Sequence, residues 1–195
     1  MPKVVDADQR RGELADAAAR VIEREGIDGA SLREVAREAG WTTGALVHYF
    51  ANKRELLAFT LQSSLDRRRS RHRDRSSLPA EEALRAMLFE ALPISRPTRL
   101  HWIVTLAFAA QASADAELAA IQRDAYLSFR STITSLLRDS DDTAPREALE
   151  REAERLIALV DGIALQALFD PLLWTASKQQ RALEAGLAPR STAER

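Results

Sequence analysis

The sequence predicts an all-α fold of about nine helices, a small N-terminal module followed by a larger helical domain. Three observations carry that reading. Apolar residues recur at helical rather than alternating spacing along most of the chain. Runs of β-branched residues are nearly absent, and only seven Gly and seven Pro interrupt 195 residues. Several prolines stand where one helix stops or the next begins. With 46% hydrophobic and 29% charged residues, the composition is that of a folded chain. The length suits one well-buried core plus a small module.

Taken in order, the first helix spans Arg10 to Glu25, with Leu14, Ala17, Ala18, Val21 and Ile22 on one face, and closes at Gly26. The second opens at Ser31, where a capping box with Glu34 is expected. The third runs from Thr42 to Phe50. The fourth starts at Lys53 behind a second box, Asn52 to Glu55. It continues to about Ser70, with Leu56, Leu57, Thr60, Leu61, Ser64 and Leu65 inward. Pro79 and Pro93 enclose the fifth, Pro97 opens the sixth, and Asp115 starts a long seventh. Pro145 starts the eighth, and Pro171 divides it from a ninth at Leu172 to about Ala185. The eighth is apolar on nearly every side from Leu156 to Phe169, so it needs cover on two faces. Gly162, Ala164 and Ala167 permit close helix approach. A twofold dimer through the last two helices is therefore expected, with Leu156, Val160, Ile163, Ala167, Leu168 and Leu173 at the contact.

The second and third helices are the most informative pair. Val35, Ala36 and Ala39 give the second helix a mostly small face that another helix can cross closely. Gly40 can take positive φ to end it, and Leu46 returns to the core. Ala36, Gly40 and Leu46 keep the A-x3-G-x5-L spacing of a helix-turn-helix. Away from Leu46 the third helix carries Thr42, Thr43, Gly44, Ala45 and His48. These are small or polar residues that allow a backbone to approach base edges closely. Lys53 and Arg54 place two cations at a helix N-terminus, against its dipole, and a DNA phosphate would relieve that conflict.

Residues 10–61 resemble the N-terminal DNA-binding domain of the TetR family of bacterial transcriptional regulators. The likeness rests on G-x-x-x-x-S-L-R-E-V-A at Gly26 to Ala36, on G-x-x-x-G-x-L-x-x-Y-F-x-N-K at Gly40 to Lys53, and on Glu55-Leu56-Leu57. Two positions depart from the family: Val47 stands where a phosphate-donating Tyr is usual, and Trp41 replaces a smaller aliphatic residue. More loosely, VDGIALQALFDP at Val160 to Pro171 is similar to the C-terminal domains of the BetI-like branch. The resemblance implies a helix-turn-helix DNA-binding domain at 8–66 and a ligand-binding and dimerisation domain at 77–195. It implies operator DNA contacts from Arg33, Thr42, Thr43, Gly44, Ala45, His48, Tyr49 and Lys53. It also implies a small-molecule effector pocket among helices five to eight, for which Phe89, Trp102, Phe108, Tyr126, Phe129, Asp161 and Gln166 are the candidates. Asp161 stands in an apolar helix, where a carboxylate needs a partner: an arginine, a group across the dimer, or a cationic ligand.

The bulk numbers narrow the alternatives. Zero Cys excludes disulfides and thiolate metal sites. His48, His72 and His101 lie in separate segments without metal-ligand spacing, and no nucleophile-elbow, Walker or dinucleotide fingerprint occurs. No metal, cofactor or enzymatic activity is expected. No apolar segment reaches membrane-spanning length and the start lacks a signal peptide's apolar stretch, so a cytoplasmic protein is expected. Residues 1–75 carry 15 Lys and Arg against 12 Asp and Glu, a balance of +3, and residues 76–195 carry 13 against 17, or −4. Six of the arginines form the run Arg67 to Arg75. Arg71 lies eighteen residues beyond Lys53, about 27 Å along a helix, so the run is read as a solvated helix end rather than a phosphate grip. The expected function is a homodimeric regulator of transcription, a ligand-released repressor. The rival is a helical interaction or small-molecule-binding protein that has lost DNA binding.

Overall fold

The computed structural model describes residues 7–73, 77–112 and 114–188. Among them the regular structure is helical throughout, in nine helices. These are α1 (Ala7–Gly29), α2 (Leu32–Ala39), α3 (Thr43–Leu46), α4 (Lys53–Arg73), α5 (Ala80–Ala91), α6 (Arg96–Ala112), α7 (Ala116–Ser140), α8 (Arg146–Phe169) and α9 (Ala176–Leu187). They form two compact units. One comprises the described residues of Met1–Arg73 with Leu100–Ala125, and the other those of Asp74–Arg99 with Tyr126–Arg195. The stretch Leu100–Ala125, which the sequence pattern assigns to the C-terminal domain, thus joins the first unit. Arg67 pairs with Asp16 at 2.7 Å; the side chains of the arginine run beyond it, like the tail after Ala188, lie outside the described residues.

In the first unit, helical periodicity translates directly into packing. Leu14, Ala17, Ala18, Val21 and Ile22 of α1 are buried. So are Leu56, Leu57, Thr60, Leu61, Ser64 and Leu65 of α4, joined in the core by Val104, Phe108 and Leu118. Each large apolar side chain removed from water stabilises by about 1.5–3 kcal/mol. The two hydroxyls in that stripe are satisfied. Thr60 donates to the Leu56 carbonyl at 2.7 Å, and Ser64 Oγ lies 2.7 Å from His101 Nδ1. The first helix leaves helical geometry at Gly26, whose φ of 74° lies in the left-handed region.

The second unit is built on α8. Leu149, Ala153, Leu156, Ile157, Val160, Ile163, Ala164 and Ala167 are buried, as are Leu84, Met87, Leu88, Ile133 and Leu183. Two polar ties hold its helices. Arg85 pairs with Glu184 at 2.8 Å, and Arg155 donates to the Gly186 carbonyl at 3.0 Å. The last helix starts at Ala176, not at Leu172. Thr175 caps it by accepting from the Lys178 N–H, whereas the Leu173 N–H is taken by the Asp170 carboxylate at 2.9 Å, which folds residues 170–174 into a turn.

Candidate nucleic-acid interface

The geometry of α1, α2 and α3 is set by local bonds. Ser31 Oγ accepts from the Glu34 N–H at 3.2 Å, capping α2. The reciprocal half of the expected box is missing. Ser31 N–H donates to Gly29 O, and Glu34 instead pairs with Arg37 at 2.7 Å. Gly40 ends α2 at φ 73°, and the Trp41 N–H returns to Ala36 O at 2.8 Å. That closure is the left-handed stop which a glycine adopts most readily. Thr42 Oγ1 then accepts from the Ala45 N–H at 3.1 Å and starts α3 immediately. With Leu46 fully buried beside Val35 and Ala36, the crossing of α2 and α3 is locked from inside.

What remains outside is the surface that the spacing pointed to. Thr42, Thr43, Gly44, Val47 and His48 are exposed, and Ala45 and Tyr49 are half-buried. Regular helix covers only Thr43–Leu46, but the Val47, Tyr49 and Phe50 N–H groups return to Thr43 and Leu46 carbonyls and carry the turn onward. A Cβ added at Gly44 would meet nothing closer than Thr42 Oγ1 at 4.0 Å. The protein itself therefore does not require glycine there, whereas close approach of another molecule would. Tyr49 is held edge-on against Trp41, with ring centroids 5.4 Å apart, and the Arg10 guanidinium lies 5.2 Å from the Trp41 ring. Arg10 and Trp41, thirty-one positions apart, form a cation–π contact that no short-range pattern could have revealed.

The electrostatics around this surface are largely balanced within the chain. Glu38 of α2 accepts from Arg20 at 2.8 Å and Arg24 at 3.0 Å on α1. Those bonds, Arg20 foremost, hold its carboxyl below the usual range. Among the described residues Arg33 pairs only with Glu34, at 3.8 Å, and it is 83% exposed, so its guanidinium is available to a ligand. The two cations at the start of α4 are relieved internally. Lys53 Nζ donates to the Asp28 carbonyl at 2.9 Å. Arg54 grips Asp115 through two bonds of 2.8 and 2.9 Å and reaches Glu117 at 3.2 Å. The dipole conflict is thus no pointer to phosphate by itself. Asn52 does cap α4 through the Glu55 N–H at 2.9 Å, but Glu55 reaches back to the Ala51 N–H instead of Asn52.

In the C-terminal part the candidate effector residues belong to both units. Trp102 and Phe108 are buried in the first unit, Phe108 within its core. In the second unit Phe129 is buried and Phe89 half-buried, with the Arg85 guanidinium 5.0 Å from its ring. The Tyr126 hydroxyl donates to Asp161 Oδ2 at 2.9 Å, which supplies the carboxylate with a partner from α7. Gln166 is exposed. Of the residues expected at a dimer contact, Leu156, Val160, Ile163 and Ala167 are at most 4% exposed within the single chain. A partner could not touch them without opening that core. Leu168 is half-buried and Leu173 exposed. The outward stripe of α8 is Ala158, Gly162, Leu165 and Phe169, continued by Leu172 and Leu173. A helix apolar on two sides gives no sequence cue to which side faces its own core.

Residues 14–58 match the family model for bacterial regulatory proteins of the tetR family, and residues 80–190 match that for the C-terminal domain of BetI-type transcriptional repressors. The HTH-type transcriptional regulator PksA of Bacillus subtilis is 38% identical over 175 residues, 88% of this chain and 85% of that protein. The HTH-type transcriptional regulator BetI of Paraburkholderia phytofirmans is 33% identical over 172 residues, 85% of each chain. The crystal structure of a transcriptional regulator from Rhodococcus sp. Rha1 superposes with a TM-score of 0.81 at 33% identity, over 90% of this chain and 92% of that one.

Proposed function

The chain belongs to the TetR family of bacterial regulatory proteins, and from that premise we propose that it is a homodimeric repressor released from operator DNA by a small-molecule effector. The domain reading stays as the sequence has it: 8–66 reads DNA, and 77–195 binds the effector and dimerises. One observation carries the DNA reading most directly. Leu46 fully buried on one side of α3 leaves Thr42, Thr43, Gly44 and His48 exposed on the other, backed by an open glycine. Thr42, Thr43, Gly44, Ala45 and His48 then face base edges, and Arg33, Tyr49 and Lys53 contact phosphate or flanking bases. Lys53 spends one of its three donors on Asp28; the others remain for phosphate.

The dimer follows from what α8 leaves uncovered. Phe169 is 73% exposed, Leu172 90% and Leu173 56%. Covering side chains of this size gains about 1.5–3 kcal/mol each when complete, enough for this surface to favour a partner. A Cβ at Gly162 would find open space, so a second copy of α8 can approach closely there. The contact is therefore Ala158, Gly162, Leu165, Phe169, Leu172 and Leu173, with Leu168 at its edge. Such a dimer presents two α3 surfaces to sites one duplex turn apart, roughly 34–36 Å. An effector that changes their separation acts as an allosteric ligand, lowering DNA affinity by its preference for the other arrangement.

Gel-shift titration of the purified protein against the DNA flanking its own gene tests the reading. Saturable binding that unlabelled flanking DNA competes better than bulk genomic DNA supports it. Val47, exposed where a donor is usual, favours the alternative of a helical effector-binding or interaction protein that no longer reads DNA. In that case no flanking fragment is retained at low salt. Operator DNA places the protein in the cytoplasm. No helix among the described residues is long and apolar enough to cross a membrane.

A further inference from the structure

The arginines of α1 are unequally engaged. Arg20 and Arg24 both donate to Glu38, at 2.8 and 3.0 Å, and Arg24 also reaches Glu25 at 2.9 Å. Arg11 is enclosed, its guanidinium 4.9 Å from the Phe50 ring and 4.6 Å from the Phe59 ring, with Glu55 at 3.7 Å. Arg10 differs. Among the described residues its carboxylate partner is Glu13, one turn along the same helix at 3.2 Å, and Gln9 donates to that carboxylate as well. An exposed pair of this kind holds weakly. What places the Arg10 guanidinium is the Trp41 ring, 5.2 Å away. Stacking engages the flat face of a guanidinium and leaves its N–H groups free to donate outward in its own plane.

Trp41 brings that cation to the surface of α3. It stands between Gly40, which ends α2, and Thr42, which caps α3. Its backbone N–H is tied to Ala36 O at 2.8 Å, and Tyr49 braces its ring edge-on at 5.4 Å. A half-buried indole fixed through both backbone and ring is a platform for the cation above it.

We propose that Arg10, stacked on Trp41, donates to a DNA phosphate flanking α3, so that the first helix contributes a backbone contact and Trp41 is its positioning residue. The inference rests on the DNA reading above. A phosphate oxygen takes the outward N–H groups in a charge-assisted bond, against which Glu13 is a weak competitor. Such a contact fixes the protein on the duplex without reading its sequence, which sets Arg10 apart from the Thr42–His48 face.

Fluorescence anisotropy on the full chain tests it, with a labelled flanking duplex and a scrambled duplex of equal length titrated across a range of salt concentrations. Arg10→Gln should weaken both duplexes by the same factor and lower the log–log salt slope by about 0.9 per protomer. Trp41→Leu should weaken binding too, and Trp41→Phe, which keeps a ring face, should recover most of the loss. Arg10→Gln should matter less in the Trp41→Leu background than in the parent, since the two residues act together. Thermal melting checks that each variant is folded. An unchanged slope for Arg10→Gln, a loss confined to the flanking duplex, or equal binding by Trp41→Leu and Trp41→Phe overturns the inference. Lys53→Ala keeps the two failures apart. A parent that binds with a Lys53-dependent slope upholds the DNA reading even where Arg10 fails, whereas a parent retained by neither duplex sinks both.

Discussion

Gly44 and Lys53 are the positions where the proposed reading of DNA can be tested apart from the fold. A side chain at Gly44 enters open space, so Gly44→Val should melt within a few degrees of the parent yet lose DNA binding through its bulk at the groove. A large drop in stability would instead make Gly44 structural. Lys53→Ala should weaken all DNA sequences alike and flatten the salt dependence, by about 0.9 in log–log slope for each phosphate that a protomer no longer neutralises. An unchanged slope in fluorescence anisotropy would leave Lys53 as no more than the tie to Asp28. The single-residue features legible in the sequence are those whose partners lie within a few positions. Ser31 capping Glu34, Gly40 closing onto Ala36 through Trp41, and Thr42 capping Ala45 are all of that kind. Glu34 fits the capping motif by spacing, but the Arg37 side chain one turn on outcompetes the backbone for it.

At the scale of elements, α4 is legible in the sequence and α8 is not, for the same physical reason. Every inward position of α4 from Leu56 to Leu65 is buried as its spacing requires, because that stretch has one apolar face and therefore one answer. The eighth helix has two, and burial assigns Leu156, Val160, Ile163 and Ala167 to the inner one. Long-range ties are equally hidden. Arg54 and Asp115 are sixty-one positions apart, and no local pattern joins them. That tie joins the N-terminus of α4 to the start of α7 and carries a pH signature. Arg54, then the Leu118 and Glu117 N–H groups, hold Asp115 at about 2, below its ordinary 3.8. The folded value lies below the unfolded one, so the ion pair stabilises fully above about pH 4, and its contribution disappears as pH falls towards 2. Asp115→Asn should therefore lower the melting temperature at pH 6, and the gap from the parent should close towards pH 2. A gap that is constant with pH would show that the carboxylate's charge contributes nothing.

For the whole molecule, the proposed function turns on the stripe from Ala158 to Leu173, through which we propose that two chains pair. A single α3 offers a small contact, whereas two held one duplex turn apart bind as a unit and gain from their high effective concentration. Phe169→Asp combined with Leu172→Asp should leave the fold intact, since both side chains are exposed, and yield single chains in sedimentation velocity with much weaker DNA binding. Dimers that survive this double change would move the interface elsewhere. Membership of the family follows from sequence and fold together. The operator and the effector depend on side chains at surfaces that the backbone pattern does not determine.

The most direct measurement is the mass of the complex formed with a labelled duplex from the DNA flanking the gene, taken by sedimentation at low ionic strength. The account predicts chains bound in pairs, with both Gly44→Val and the Phe169/Leu172 double variant abolishing the paired species. A complex with one chain per duplex, or none on any flanking fragment, would contradict it.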